Sequence, residues 1–223
     1  MATATHLPNI YIIGPQSTGK TTLINELRRR LGNWLVDTST DQPQIISEVA
    51  RTVLSKHQLT SDDVVASEER CKNLQRLIIE AQDAAEMEAL TKSSWFISDR
   101  SGIDPVIYAR RFASARAARE LQLEEPWPKL RARMTNSLVL VCESGTPWLT
   151  DDGVRLMPGN EEAWEQLFKD FCELLQELEL PYAVVPRTML DLSERAEFVR
   201  SQWSELMLKN PSGDSKSHQS GVS

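Results

Sequence analysis

One stretch near the N-terminus constrains the fold more than any other: residues 9–27, NIYIIGPQSTGKTTLINEL. Four apolar residues, Ile10 to Ile13, lead into a loop bounded by Gly14 and Gly19. A segment with leucine and isoleucine at helical spacing follows. The pattern predicts a buried strand, a glycine-bounded loop and a helix in direct succession.

The residues of this loop suit phosphate binding. Glycine lets the backbone adopt conformations that a β-carbon penalises, and it lets a ligand approach closely. Successive N–H groups then face one concavity at the positive end of the following helix. Lys20 supplies an ammonium group for the β- and γ-phosphates, and the Thr21 hydroxyl supplies a Mg²⁺ ligand. We therefore expect ATP and Mg²⁺ to bind here. The nucleotide-binding residues expected are Gly14, Pro15, Gln16, Ser17, Thr18, Gly19, Lys20, Thr21 and Thr22.

Length, charge, apolar runs and cysteine content restrict the class of protein to which this chain can belong. The 223 residues fit one α/β domain with a proper core. A net charge of −7 argues against general nucleic-acid binding. No apolar segment approaches the roughly eighteen residues of a membrane span, and the first residues lack the features of a signal peptide. Three widely spaced cysteines fit reduced thiols. We expect a cytoplasmic protein with small-molecule partners and no transmembrane segment; its oligomeric state stays open.

Apolar runs alternate with helix-forming segments along the chain. Strands are expected at residues 10–13, 43–46, 95–98, 137–142 and 182–185. The helix after the loop is expected to end near Gly32, and one long helix is expected from about residue 61 to 90. A single helix from Asp104 is expected to carry the arginines up to Arg119. This order predicts an α/β, three-layer P-loop NTPase fold with a mostly parallel five-stranded sheet covered by helices on both faces.

Charged residues follow three of the expected strands, whose carboxyl ends meet at one edge of a parallel sheet. Asp99 is expected to bind Mg²⁺ with Thr21; the alternative is an ordinary helix cap. Glu48 is the candidate general base for an acceptor hydroxyl; the alternative is an ion pair with Arg51. Arg100 is expected to hold the acceptor or its phosphate; the alternative is a structural salt bridge. Glu48, Arg51 and Arg100 form the expected acceptor-binding set.

The irregular stretch after the fourth strand includes Arg155. Kinases of this architecture keep a mobile lid there, and Arg155 is expected to move onto the phosphates once both substrates are bound. The alternative is a surface turn with an exposed arginine. Arg110 and Arg111 are weaker candidates for the same role. The expected catalytic residues are Lys20, Glu48, Asp99, Arg100 and Arg155.

Four motifs, GPQSTGKTT, SEVAR, SDRSGIDPVIYA and PWLTDDGVR, resemble the P-loop AAA domain of NadR-type nicotinamide-riboside kinases and their eukaryotic relatives. The resemblance covers residues 9–190. The second and third motifs also resemble those of deoxynucleoside kinases, which implies that Glu48 is the base at a sugar hydroxyl and that Arg100 binds near it. NadR-type kinases are usually fused to a nucleotidyltransferase domain, for which 223 residues leave no room, so the acceptor stays open.

The chain is accordingly divided into a flexible N-terminus (1–8), a P-loop nucleoside-kinase-like domain (9–208) and a disordered tail (209–223). Two functions compete for the domain. One is a kinase that transfers the ATP γ-phosphate to a nucleoside-like hydroxyl. The other is a regulatory NTPase that switches with ATP or GTP, because Asp99 to Gly102 fits the D-x-x-G pattern of GTPases, although no N-K-x-D segment is present. A polynucleotide-end kinase is disfavoured by the acidic charge and few aromatics.

Overall fold

The computed structural model describes residues 7–34, 41–60, 62–148 and 160–209. Within these ranges each of the five strands is followed by one or more helices. They are β1 (Ile10–Ile13), α1 (Lys20–Trp34), β2 (Gln44–Ile46), α2 (Val49–His57), α3 (Asp63–Ala66), α4 (Glu68–Lys92), β3 (Phe96–Asp99), α5 (Ile103–Phe112), α6 (Ala115–Leu123), α7 (Trp127–Thr135), β4 (Leu138–Cys142), α8 (Glu161–Glu177), β5 (Ala183–Val185) and α9 (Leu192–Lys209).

The five strands form one sheet in the order β2-β3-β1-β4-β5, and every pair of neighbours is parallel. In the register of the central strand, Ile12 lies opposite Asp99 of β3 and Leu140 of β4. The loop after β1 therefore emerges between the carboxyl ends of β3 and β4, where ligands bind in sheets of this kind. The expected α/β fold is confirmed, with a sheet that is parallel throughout.

Residues of β1 alternate between two apolar cores. Ile10 and Ile12 pack with α1 and α9, whereas Tyr11 and Ile13 pack on the opposite face with residues of α4 to α8. All four β1 side chains are fully buried. This alternation follows from the two-residue period of a strand, and helices on both faces explain why the strand sequence is continuously apolar. The sheet is thus the middle of three layers.

Three helix boundaries differ from those expected. Helix α1 continues past Gly32 to Trp34, because a glycine costs a helix some stability without ending it. The long helix expected from residue 61 is divided at Ser67, and the helix expected from Asp104 is divided at Ser114. Each serine has an extended backbone, and its hydroxyl accepts from an N–H in the first turn of the next helix. Serine capping therefore overrides the apolar periodicity that runs across both sites.

Residues 7 and 8 pack against the rest of the described structure. Leu7 and Pro8 are buried, and the carbonyl of Pro8 accepts a hydrogen bond from the indole of Trp203 at 2.8 Å. Trp203 also stacks on Trp95, with ring centroids 4.7 Å apart. Helix α9 therefore holds residues 7 and 8 against the rest of the fold. Residues 1–6 and 210–223 lie outside the described ranges, and no helix within those ranges has the length and apolar character to cross a bilayer.

Candidate functional site

The loop after β1 is anchored through its carbonyl groups. Four of its carbonyl oxygens accept hydrogen bonds from side chains of other elements: Gly14 from Arg100 (2.7 Å), Gln16 from Trp164 (2.9 Å), Ser17 from Thr146 (3.2 Å) and Thr18 from Arg195 (3.0 Å). In a trans peptide unit the C=O and N–H bonds point in opposite directions. Each of these hydrogen bonds fixes a carbonyl group on one side of the loop, so the N–H of the next residue points to the other side. An anion-binding nest requires N–H groups that point in this way.

Two glycines are required by the geometry of the loop. Gly14 has φ +121°, and a β-carbon there would lie 2.6 Å from the carbonyl oxygen of Cys142. Gly19 has φ +79°, and its β-carbon would lie 2.8 Å from Nη1 of Arg195. Ser17 also has a positive φ, +56°. The loop thus depends on glycine where the chain passes closest to β4 and to α9.

The Gly14 position leads to a prediction about stability. We expect Gly14→Ala to lower the free energy of unfolding by about 2–4 kcal/mol. The new methyl group would clash with backbone atoms of Cys142, and alanine disfavours the positive φ of this position. Gly32 is the matched control, since nothing lies within 4 Å of a β-carbon there, and Gly32→Ala in α1 should raise stability by about 0.5 kcal/mol. Urea denaturation of both variants measures the difference. Equal stabilities would contradict the close approach of Gly14 to β4.

Lys20 begins α1 and closes the loop. Its side chain is buried, and Nζ donates to the carbonyl of Pro15 and to Oγ1 of Thr18, the latter at 3.3 Å. Burial lowers the pKa of Lys20 to about 7, and the positive charge of Arg100 lowers it as well. At neutral pH, with no anion present, a large fraction of Lys20 is therefore uncharged.

Thr21 and Asp99 face each other across the end of the sheet. Oγ1 of Thr21 donates to Oδ2 of Asp99 at 2.5 Å, and Asp99 is the buried last residue of β3. Hydroxyl and carboxylate oxygens are the ligands that Mg²⁺ prefers. No group of three or more histidine, cysteine or acidic side chains that could hold a metal occurs in the described ranges. A Mg²⁺ ion held by this pair would take its other ligands from water and phosphate, as it does in phosphoryl-transfer sites.

Glu48 and Arg100 form the centre of a second charged cluster. Glu48 immediately precedes α2; its Oε2 accepts from Nε of Arg51 at 3.0 Å and its Oε1 from Nε of Arg100 at 3.2 Å. Arg100 also donates from Nη1 to Asp104 at 2.9 Å. Burial opposes the charge of Arg100, but Glu48 and Asp104 outweigh it and raise the pKa of the guanidinium. The ion pair between Glu48 and Arg51 is therefore formed, and two cations, Arg51 and Arg100, orient the Glu48 carboxylate.

The backbone of Arg100 is strained. Its φ is +92°, a region that non-glycine residues rarely occupy, and its N–H donates to the carbonyl of Ile12 at 3.1 Å. Asp104 supports the turn by accepting from the N–H of Ser101 at 2.9 Å and from its hydroxyl at 3.2 Å. Strain of this kind persists where the surrounding contacts determine the conformation, and it is concentrated at functional sites.

Arg110 and Arg111 do not join this cluster. Arg110 and Arg111 of α5 pair with Glu177 and Asp170 of α8, on the helical layer rather than at the loop. Arg155 lies outside the described residues, so its expected lid role remains a proposal.

In the part of the chain that the structure describes, two cavities border the loop. The larger, about 440 Å³, is lined by Ser17, Gly19, Lys20, Thr21, Thr22, Trp148, Leu190, Leu192 and Arg195. The smaller, about 90 Å³, has mainly apolar walls from α2 to α5, and its charged lining comprises Glu48, Arg51, Arg100 and Asp104. Gln16 lines the smaller cavity, whereas the next residue, Ser17, lines the larger one. The loop therefore separates two sites of different character.

Arg195 and Trp148 are residues of the larger cavity that sequence reasoning missed. Arg195 is 2% exposed; its guanidinium lies 5.2 Å from the ring centroid of Trp148, and Nη2 also donates to Sγ of Cys142 at 3.4 Å. The sequence does contain a signal for Arg195, which falls on the buried stripe formed by Ala196, Val199 and Trp203 in α9. A charged residue on such a stripe needs partners inside the protein.

This fold and loop define a class, the α/β proteins of the P-loop type. The chain belongs within it to the AAA_28 family of AAA domains, whose family model matches residues 9–195. The family resemblance expected from the four motifs is thereby confirmed. No curated protein sequence matches the chain.

The chain is similar to many solved structures, two of which are structures of NadR protein. One is the crystal structure of NadR protein in complex with NR, with a TM-score of 0.64 and 20% identity, covering 90% of this chain and 52% of that one. The other is NadR protein in complex with NAD and AMP-PNP, with a TM-score of 0.61 and 16% identity, covering 90% and 49%. The chain thus spans about half the length of these neighbours. At such identities the similarity is one of fold.

Proposed function

We propose that the protein is a small-molecule kinase that transfers the γ-phosphoryl group of ATP to a nucleoside-like hydroxyl. The observation that carries the proposal is the pair of cavities on either side of one loop. Lys20 and Thr21 line the larger cavity, and Glu48 and Arg100 line the smaller one. In-line phosphoryl transfer requires a donor and an acceptor to meet at such a boundary, with cations around the moving group.

ATP is the proposed occupant of the larger cavity. Its volume of about 440 Å³ lies in the usual range for small-molecule sites, and the loop from Gly14 to Thr22 would bind the phosphates through backbone N–H groups and Lys20. Trp148 supplies an aromatic surface for the nucleoside end. Thr21 and Asp99 would hold Mg²⁺, whose chemistry is to neutralise charge on the β- and γ-phosphates.

The smaller cavity is the proposed acceptor site. Glu48 would remove the proton of the acceptor hydroxyl, because Glu48 lines this cavity and its carboxylate is oriented by Arg51 and Arg100. Arg51 and Arg100 would also bind the acceptor, and Arg100 is tied to the loop itself through the carbonyl of Gly14. Arg155 would approach the phosphates from the chain after β4. This arrangement supplies a base and cations on the side opposite the donor.

A regulatory NTPase that phosphorylates no small molecule is the alternative. It rests on the D-x-x-G match from Asp99 to Gly102. In GTPases such a segment rearranges between nucleotide states. Here Arg100 and Ser101 are buried and bonded to Asp104, and a β-carbon on Gly102 would lie 3.1 Å from a side-chain carbon of Leu130. These contacts favour a fixed acceptor site over a mobile switch.

The decisive experiment is an acceptor panel. Nucleosides, nucleoside monophosphates and nicotinamide riboside would be supplied with Mg²⁺ and either ATP or GTP, and NDP release would be measured with and without each acceptor. The proposal predicts release that depends on an acceptor, with the phosphorylated product identified by mass spectrometry. Equal NTP hydrolysis with and without every acceptor would support the regulator instead.

The lowered pKa of Lys20 predicts a pH dependence of nucleotide binding. Phosphate oxygens keep the ammonium group protonated, whereas in the free protein the pKa of Lys20 is about 7. Binding above this pH therefore takes up a proton, so affinity for Mg-ATP should fall by up to about tenfold per pH unit between pH 7 and 9 and be nearly constant below 7. Calorimetry in buffers of different ionisation enthalpy measures the uptake.

The control for this dependence is Lys20→Arg. A guanidinium stays charged over the whole pH range. The affinity of the variant for Mg-ATP should therefore not depend on pH, whatever its absolute value. A wild-type slope that persists in this variant would assign the proton to another group.

A further inference from the structure

Arg195, in the first turn of α9, carries a buried charge that the proposed chemistry does not use. Nη2 donates to the carbonyl of Thr18 at 3.0 Å and to Sγ of Cys142 at 3.4 Å. Burial raises the pKa of the Cys142 thiol, so both acceptors are uncharged at neutral pH. Within the described ranges, Nε of Arg195 is buried without a hydrogen-bond partner.

A guanidinium in such surroundings is costly to the free protein. A charge moved from water into a protein interior loses hydration energy unless an opposite charge balances it. Arg195 lines the larger cavity together with Gly19 and Lys20, where the loop is proposed to bind a polyphosphate. The phosphates would bring negative charge close to the guanidinium. A bound nucleotide would therefore balance the charge of Arg195 without having to touch it.

The bond to Thr18 acts on the phosphate end of the cavity. The peptide bond between Thr18 and Gly19 is trans, so fixing the Thr18 carbonyl also fixes the direction of the Gly19 N–H. Gly19 directly precedes α1, at the position where backbone N–H groups of such a loop bind phosphate. If this peptide turned over, a carbonyl oxygen would face the phosphates and repel them. Arg195 prevents that rotation.

The same guanidinium supports the aromatic end of the cavity. It lies 5.2 Å from the ring centroid of Trp148. A β-carbon on Gly19 would lie 2.8 Å from Nη1 of Arg195 and 3.1 Å from a ring carbon of Trp148, so glycine leaves room for both side chains against the loop. A cation over the face of a ring favours one orientation of that ring. The phosphate end and the aromatic end thus share one support.

We propose that Arg195 is the positioning residue that joins the two ends of the nucleotide site. It holds the Gly19 N–H toward the phosphates and the Trp148 ring toward the base, and the bound polyphosphate balances its buried charge. The proposal rests on the proposed function only in treating the larger cavity as the nucleotide site. It concerns binding, which is measured without an acceptor, so it and the transfer of phosphate can fail separately.

Two probes test the two ends of the site on the full chain by calorimetry. AMP-PNP with Mg²⁺ carries phosphates and a base, whereas inorganic tripolyphosphate with Mg²⁺ carries phosphates alone. Arg195→Met removes the charge and the donors, so it should lower the affinity for tripolyphosphate by about tenfold and that for AMP-PNP by at least about a hundredfold. Trp148→Leu should lower the affinity for AMP-PNP by about tenfold and leave that for tripolyphosphate unchanged.

The double variant tests whether Arg195 acts through Trp148. In a protein that already lacks Arg195, the Trp148 ring has lost its support. Trp148→Leu should then lower the affinity for AMP-PNP by only about twofold or less. A full tenfold effect in both backgrounds would show that the two residues act independently, and it would overturn the proposal.

Arg195→Lys provides a second measurement if the methionine variant does not fold. Lysine keeps the positive charge but has no planar group to lie over the ring. It should keep the affinity for tripolyphosphate within about threefold of the wild type and still lower that for AMP-PNP by about tenfold. Arg200→Met is the control, because Arg200 lies exposed on the same helix and pairs with Glu197, and it should bind both probes as the wild type does.

Melting temperatures without ligand distinguish positioning from structural support. A lower melting temperature of Arg195→Met with unchanged affinity for both probes would overturn the proposal, because Arg195 would then serve the fold alone. Equal losses of affinity for the two probes would overturn it too, since the aromatic end would not depend on Arg195. A folded wild-type protein that binds neither probe would have the same consequence. If the binding results hold while the acceptor panel shows no turnover, the kinase proposal alone fails.

Discussion

Replacing Glu48 with glutamine is expected to lower acceptor-dependent turnover by roughly 10²–10⁴-fold while the affinity for Mg-nucleotide stays unchanged. Glutamine keeps the shape of the side chain and one carbonyl oxygen, which can accept from either Arg51 or Arg100, but it cannot take a proton from a hydroxyl group. Glu48 lines the smaller cavity and is absent from the lining of the larger one, so the substitution should not change the affinity for nucleotide. Turnover with the best acceptor and a titration with AMP-PNP measure the two effects separately.

Glu88→Gln is the matched control for this variant. Glu88 is exposed on α4, and its carboxylate pairs with Lys92 at 2.5 Å. The same substitution there should change neither turnover nor affinity, since an exposed pair of this kind contributes little. If Glu48→Gln turned over at the wild-type rate, Glu48 would be part of a structural ion-pair cluster with Arg51 and Arg100 and would have no part in the chemistry.

Replacing Asp99 with asparagine is expected to remove most of the gain in ATP affinity that Mg²⁺ confers and to lower turnover by at least roughly 10²-fold. Asparagine can still accept the hydrogen bond from Thr21, so the fold of the loop is retained while the negative charge is lost. The measurement is a pair of ATP titrations, one with Mg²⁺ and one with EDTA, on the wild-type protein and the variant. The ratio of the two affinities should approach one in Asp99→Asn.

Asp170→Asn serves as its control. Asp170 lies on α8 and pairs with Arg111 at 2.8 Å, away from the residues that line the larger cavity. It should keep the full effect of Mg²⁺ on ATP affinity. A ratio as large in Asp99→Asn as in the control would show that the hydrogen bond between Thr21 and Asp99 serves structure alone.

Local signals in the sequence were sufficient to predict the sheet and the loop. Ile10 to Ile13 form a continuous apolar run because helices cover both faces of the central strand. Gly14 and Gly19 appear where the backbone has to take a positive φ against close neighbours. Thr21 and Asp99 could be paired in advance because the carboxyl ends of neighbouring parallel strands meet at one edge. Each of these features depends on a short segment or on a general rule of topology.

Other features could not be predicted in the same way. The breaks at Ser67 and Ser114 are decided by hydroxyl groups that compete with helical periodicity, and apolar spacing continues through both. Arg195 is placed beside the larger cavity by contacts with residues far away in the sequence, such as Thr18. Charged or amide side chains on a buried helical stripe mark such positions, but the partners become known only from the fold.

The central claim is that the loop from Gly14 to Thr21 binds a nucleoside triphosphate through its backbone N–H groups, with Asp99 opposite across Mg²⁺. Isothermal titration calorimetry with non-hydrolysable ATP and GTP analogues in the presence of Mg²⁺ tests it most directly. We predict saturable binding of one nucleotide per chain, which weakens by at least about tenfold in Lys20→Ala. A folded wild-type protein with no affinity for either Mg-nucleotide would contradict the account.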